Sequence, residues 1–193
     1  LAHGIDAAAH EGALAAGGVT VAVLGCGVDV AYPRRNRDLA RRICADGALT
    51  SEYWPGTAPA PWRFPARNRI VAGLADAVVV VEAGERSGAL ITADFALDQG
   101  RPVLAVPGAP GAAASVGCNA LLRAGAAMCE RLEDVIEECP GFHWGDGPTG
   151  RRTWHAAVPP PARGTPCTAC DRGLPAPMRG RPRPGSGRPL CGS

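Results

Sequence analysis

Lysine is absent from this 193-residue chain: all 20 of its basic residues are arginine. That bias reads as the signature of a GC-rich coding sequence rather than of function. Aromatic residues make up only 5% of the chain, so a core must be built from alanine, valine, leucine and isoleucine; at 46% hydrophobic content there is enough of them. No apolar run approaches the roughly eighteen residues of a membrane span, and no signal peptide is visible. No membrane partner is therefore expected. No methionine heads the chain, and Leu1 reads as the middle of a longer sequence. Paired cysteines are missing from the first two thirds. Cys26, Cys44, Cys118, Cys129 and Cys139 are scattered through alternating strand-like and helix-like segments, which excludes a disulfide scaffold and points to reduced thiols and a cytoplasmic location.

The charge divides near Pro140. From Asp6 to Glu138 there are 16 acidic residues against 12 arginines, a net of −4; beyond Pro140 there are 8 arginines against Asp146 and Asp171, a net of +6. The two parts are a domain over residues 1–139 and a tail over 140–193, rich in proline, glycine and arginine and without a periodic apolar face. Such a composition buries too little to offset its ordering entropy and is expected to be disordered. Cys167 and Cys170 have the spacing of half a zinc knuckle, with Cys191 and His155 as the nearest further donors. A second close pair is absent, so no metal site is assigned.

Within the first 139 residues the pattern is regular. Helices are expected over 6–16, 36–45, 67–74, 88–99, 119–124 and 132–138. Strands are expected over 19–24, 48–51, 77–82 and 102–106, with room for a short one between the last two helices. Strands bare of polar residues that alternate with helices imply a parallel sheet covered on both faces: an α/β, doubly wound, mostly parallel fold. Ligands of such folds bind outside the carboxyl ends of the strands.

Three polar turns fall at that edge. Gly25-Cys26-Gly27 follows the first strand, Glu82 to Gly88 the third, and Val106-Pro107-Gly108 the fourth. At Arg86-Ser87-Gly88 the chain enters a helix whose first N–H groups are unpaired and carry the positive end of the dipole. Ser87 either caps that helix or donates its hydroxyl, and Gly88 lets an anion approach the backbone. Arg67-Asn68-Arg69 is expected to open a helix, where positive charge opposes the dipole and so argues for anion binding. Phe64 reads as packing, whereas Trp62 either covers the sheet or stacks on a base. Gly25-x-Gly27 without a third glycine, and without an acidic residue at the end of a second strand, argues against a nicotinamide cofactor. No cofactor is expected.

Four stretches together carry a family resemblance: GIDAAAHEGALAAGG, TVAVLGCGVDVAYPRRNRDLARRI, SEYWPGTAPAPWRFPARNRIVAGLADAVVVVEAGERSGALITADFAL, and GRPVLAVPGA followed by GCNALLRAGA. In this order they resemble the DNA-processing protein A family, also called Smf, over about residues 1–138. The resemblance implies an extended Rossmann domain that binds single-stranded DNA without sequence preference. It further implies natural transformation as the setting, the RecA recombinase as a partner onto which incoming DNA is handed, homodimerisation of the complete protein, and no catalytic activity. DNA or phosphate contacts are assigned to Gly4, Arg67, Asn68, Arg69, Arg86, Ser87, Gly88, Gly108 and Asn119. Arg34, Arg35 and Arg37 widen the basic patch, and Arg41 and Arg42 are placed on an exposed helix face. Glu82 and Glu85 are expected to orient a neighbouring arginine.

The chain departs from the family pattern at both ends. Family members precede the Gly-Ile-Asp motif with a strand, a Gly-Ser turn and a second strand, which this sequence lacks; His3 stands where arginine is common. Weak binding and poor solubility are expected of a sheet without those strands. The family's C-terminal winged-helix-like domain is not recognisable. A second reading comes from the lysine-decarboxylase-like group, whose related core releases bases from nucleoside monophosphates. Its Pro-Gly-Gly-x-Gly-Thr-x-x-Glu run is replaced here by Glu85-Arg86-Ser87-Gly88-Ala89, without the glycines or the catalytic glutamate, so an enzyme is not expected.

Overall fold

The computed structural model describes residues 1–139, and the basic tail with its Cys167–Cys170 pair lies outside them. In chain order the elements are α1 (Ile5–Ala15), β1 (Val21–Leu24), α2 (Arg37–Asp46), β2 (Ala48–Ser51), α3 (Arg63–Leu74), β3 (Val78–Val80), α4 (Gly88–Asp98), β4 (Val103–Ala105), α5 (Val116–Arg123), β5 (Ala127–Met128) and α6 (Leu132–Glu138). Every strand pairing is parallel. Val21 of β1 faces Ala48 of β2 in register, Val78 of β3 faces Val103 of β4, and Leu104 of β4 faces Ala127 of β5. The α/β, parallel architecture is the expected one. The sheet, however, is formed in two separately hydrogen-bonded pieces, β1-β2 and β3-β4-β5. Helix α3 packs against both β1 and α4 and so bridges them.

Alanine makes this packing possible. One core gathers Ala22, Leu24, Cys26, Leu39, Ala40 and Ile43 between β1 and α2. The other gathers Ala72, Val80, Ala83, Ala93, Ala96, Val103, Ala105 and Cys118 around β3 and β4. Small side chains let helix backbones approach the strands closely, and tight packing replaces the bulk that aromatic residues supply elsewhere. Ile43 and Leu104 are the largest aliphatic side chains that are fully buried; truncating either to alanine removes about 2–5 kcal/mol.

Two boundaries differ from the sequence expectation in ways that bear on the site. Helix α3 begins at Arg63, four residues before the expected start. Pro65 falls in its first turn, where a missing N–H forfeits no intrahelical bond because the residue four positions earlier lies outside the helix. Arg67, Asn68 and Arg69 therefore lie in the second turn and beyond, and the opposition between their charge and the helix dipole does not arise. Helix α5 likewise begins three residues early, at Val116, so Asn119 sits inside it rather than at its start.

Candidate functional site

The turn after β1 is where the site begins. A β-carbon on Gly25 would lie 2.9 Å from Cδ1 of Phe64, so this turn is glycine because a ring rests on it. Phe64 in turn stacks on Tyr32, ring centres 5.5 Å apart. These two rings, with Leu1, Ala2, His3, Leu24, Cys26, Pro33 and Arg67, line a cleft of about 230 Å³ at the carboxyl end of β1. Its walls are mostly apolar, with His3 and the cationic Arg67 as the polar side chains among them. Phe64 thus packs, as expected, but it packs as a wall of this cleft.

Arg67 supplies the cation. Its Nη1 donates to the carbonyl of Val23 in β1, and its Nε donates to Oδ1 of Asn68 at 3.2 Å. Burial lowers the guanidinium's pKa from its ordinary value, with Asp6 and Cys26 acting in the opposite direction. A half-buried guanidinium facing an apolar cleft attracts an anion more strongly than one in open solvent. Burial also raises the pKa of the neighbouring Cys26 thiol, which keeps it protonated and hydrogen-bonded to Val30.

Gly4 lies beside the cleft, at the N-cap of α1 with φ of 80°. At the same mouth, Arg35 donates from Nε to Nδ1 of His3 at 2.6 Å, which ties the Arg34–Arg37 segment to residues 1–4. Arg41 pairs with Asp38 at 3.0 Å on an exposed face, as the sequence suggested.

The second part of the site is the start of α4. Asn68 donates through Nδ2 to the carbonyl of Gly88 at 3.3 Å, so Arg67, Asn68 and Gly88 form one connected chain of polar groups. Ser87 is the N-cap, its Oγ accepting from the N–H of Ala89 at 3.3 Å. Of the two readings open for Ser87, capping is the one realised. Arg86 is exposed and makes no hydrogen bond or ion pair among the described residues. It is a cation without a resident partner, one residue before the helix cap.

Gly108 and Asn119 form a unit of their own. The Asn119 amide donates to the Gly108 carbonyl at 3.1 Å and accepts from the Gly108 N–H at 3.2 Å, clamping the turn after β4. A β-carbon at Gly108 would fall 2.0 Å from Oγ of Ser115. This turn is joined to the Glu82–Gly88 loop, because Ala83 donates to Ala114 and accepts from Gly117, at 2.9 and 2.7 Å. Asn119 is thus spent on holding the edge in shape.

Arg69 is not unpaired. Its Nη2 binds Oε1 of Glu52, the residue that follows β2, and both side chains are about half exposed. The carboxylate that orients Arg69 is therefore Glu52, and it stands directly after the second strand, where the sequence reading found no acidic residue cleanly placed. Glu82 and Glu85, to which that role was given, form no ion pair among the described residues. Tyr32 was also missed: its value to the site depends on Phe64, thirty-two residues away, and no local pattern announces that contact. No group of His, Cys, Asp and Glu able to hold a metal ion occurs among the described residues. No helix there is long and apolar enough to cross a membrane.

A family model for DNA recombination-mediator protein A matches residues 1–140. The chain is 49% identical over 138 residues to the DNA processing protein DprA of Streptococcus pneumoniae, a match spanning 72% of this chain and 49% of that protein. It is 45% identical over 146 residues to protein Smf of Escherichia coli, spanning 75% of this chain and 39% of that one. The chain therefore covers less than half the length of these relatives. Among solved structures, S. pneumoniae DNA processing protein A superposes with a TM-score of 0.67 at 46% identity, over 72% of this chain and 49% of its own. The Helicobacter pylori protein, whose structure was described for its single-stranded DNA binding mode, superposes with a TM-score of 0.59 at 29% identity, over 64% of this chain and 58% of its own. With its motifs, its parallel α/β fold and these matches in agreement, the chain belongs to the DNA processing protein A (DprA/Smf) family.

Proposed function

We propose that this chain binds single-stranded DNA without reading its sequence, and that it does so at the carboxyl edge of its strands. The observation that carries this reading is the polar chain from Arg67 through Asn68 to Gly88, with an aromatic-walled cleft at one end and the unpaired Arg86 at the other. Non-specific single-strand binding needs cations along the backbone path and π-faces for bases, and both are present among the described residues. The described domain carries a net −4. Attraction must therefore come from locally placed arginines rather than from overall charge.

The binding is non-catalytic in this reading. The loop that would hold a nucleoside monophosphate in a related hydrolase has Ser87 committed to a helix cap, and Ala93 stands where that group's run ends in glutamate. Transfer of bound DNA to the RecA recombinase, a role in natural transformation, homodimerisation and a cytoplasmic location belong to the same proposal and to the longer family protein. Family membership supports them.

A titration tests the core of the proposal. Labelled dT and mixed-sequence oligonucleotides should bind with equal affinity, better than duplex of the same length, and log K should fall linearly with log salt. Equal affinity for duplex, or release of free base from a nucleoside monophosphate, would overturn it.

A further inference from the structure

We propose that the loop between β2 and α3 is a base-stacking platform, built on Tyr53, Trp54 and Trp62, that receives nucleobases of a strand lying along the carboxyl edge. This rests on the single-stranded DNA reading and adds to it a second ligand surface, outside the cleft. Trp62 is 62% exposed and Trp54 85% exposed, in a chain with few aromatics. Two indoles left in water forfeit burial that each would gain in a core.

The loop is held rather than loose. Gly27 donates to Thr57 at 2.9 Å, Thr57 to Trp54 at 3.1 Å, Gly56 to Oδ1 of Asp29 at 2.7 Å, and Arg63 to Ala60 at 3.0 Å. These bonds tie it to the turn after β1, so it is continuous with the cleft. Pro55, Pro59 and Pro61 further restrict its backbone. Within it, the rings of Tyr53 and Trp62 stand edge to face, centres 6.4 Å apart, and the Arg63 guanidinium lies 4.8 Å from one and 4.9 Å from the other. Arg63 donates through Nη1 to Ala58, yet its Nε is buried without a partner. A buried donor left unmade is unfavourable, so the contacts with the two rings, together with the Ala58 bond, are what hold the arginine in place. The product is a rigid, outward-facing indole with a cation at its side. That chemistry suits a planar, electron-rich base on an anionic backbone. Duplex DNA, whose bases already stack on one another, offers no free face to it.

Two probes of one length separate this from the phosphate reading: a dT oligonucleotide and an abasic deoxyribose-phosphate strand. The intact chain should bind dT more tightly than abasic strand. Trp62→Ala should weaken dT binding roughly five- to a hundredfold, leave abasic binding and the salt slope as they were, and keep the far-UV spectrum; Trp62→Phe should restore most of the loss. The platform is refuted if the intact chain binds both probes equally, which leaves the electrostatic reading standing. It is also refuted if Trp62→Ala keeps full dT affinity, which would give the exposed indoles to a protein partner, or loses both probes alike, which would make Trp62 a structural residue. A chain that binds neither probe overturns the DNA reading itself.

Discussion

Gly25 and Phe64 are in contact through space that no side chain can share: a β-carbon on the first would stand 2.9 Å from Cδ1 and 3.1 Å from Cε1 of the second. Gly25→Ala must therefore push the ring off Tyr32 or shift the start of α3. Overpacking of this kind costs about 1–3 kcal/mol. Urea unfolding should show that loss, and Phe64→Leu in the same chain should recover part of it. An unchanged midpoint would mean that the ring moves freely, and that the cleft wall is soft.

Arg86 offers a cleaner separation of binding from folding. Because it is exposed and unpaired among the described residues, Arg86→Ala should leave thermal stability unchanged within about 0.5 kcal/mol. Binding should weaken for every oligonucleotide alike, and the salt slope should flatten by roughly 0.7, the value of one phosphate contact on a single strand. Equal slopes for variant and parent would remove Arg86 from the interface.

Asn119 makes the opposite prediction. Asn119→Asp keeps the shape but turns a donor into a second acceptor facing the Gly108 carbonyl, leaving a partly buried bond unmade. A loss of about 1–3 kcal/mol is expected, with faster amide exchange at Gly108. If stability holds while DNA affinity falls, Asn119 touches the ligand directly.

Acid sensitivity should be visible at His10. Burial, with Arg67 adding to it and Asp6 opposing, lowers its pKa from 6.5 to about 4, while its Nδ1 bonds Thr20 at 2.7 Å. Above pH 6.5 the ring is neutral whether the chain is folded or not. Between pH 6.5 and 4 only the unfolded chain gains the proton, so stability falls as pH falls; below 4 the effect is complete. For a half-exposed ring the loss is about 1–2 kcal/mol after solvent screening. His10→Gln should flatten the stability curve across that window, and parallel curves would show that the ring titrates normally.

Strand β2 and helix α6 fall where the sequence places them, because each is bounded by unambiguous neighbours: Gly47 before Ala48, and an acidic first turn after Arg131. Helix α3 does not, since Pro65 reads as a stop in sequence yet is permitted in a first turn. The consequence reached the site. Arg67 lines the cleft through its burial against β1, and no clash with a helix dipole is involved. The cap positions Gly4 and Ser87 were legible as turn and cap residues because such features are local. Tyr32 and the Glu52–Arg69 pair were not, because each depends on residues brought together only by the fold.

Helix α3 rests on β1 from one piece of sheet and on α4 from the other. Since no ladder of strand hydrogen bonds joins the pieces among the described residues, the backbone amides of this helix report on both at once. Opening either piece unseats α3 and strips cover from its neighbour, so amides around Ala72 should exchange with deuterium only when the whole domain opens. Melting of the two pieces is then a single event, and no species with one piece folded and the other open should accumulate.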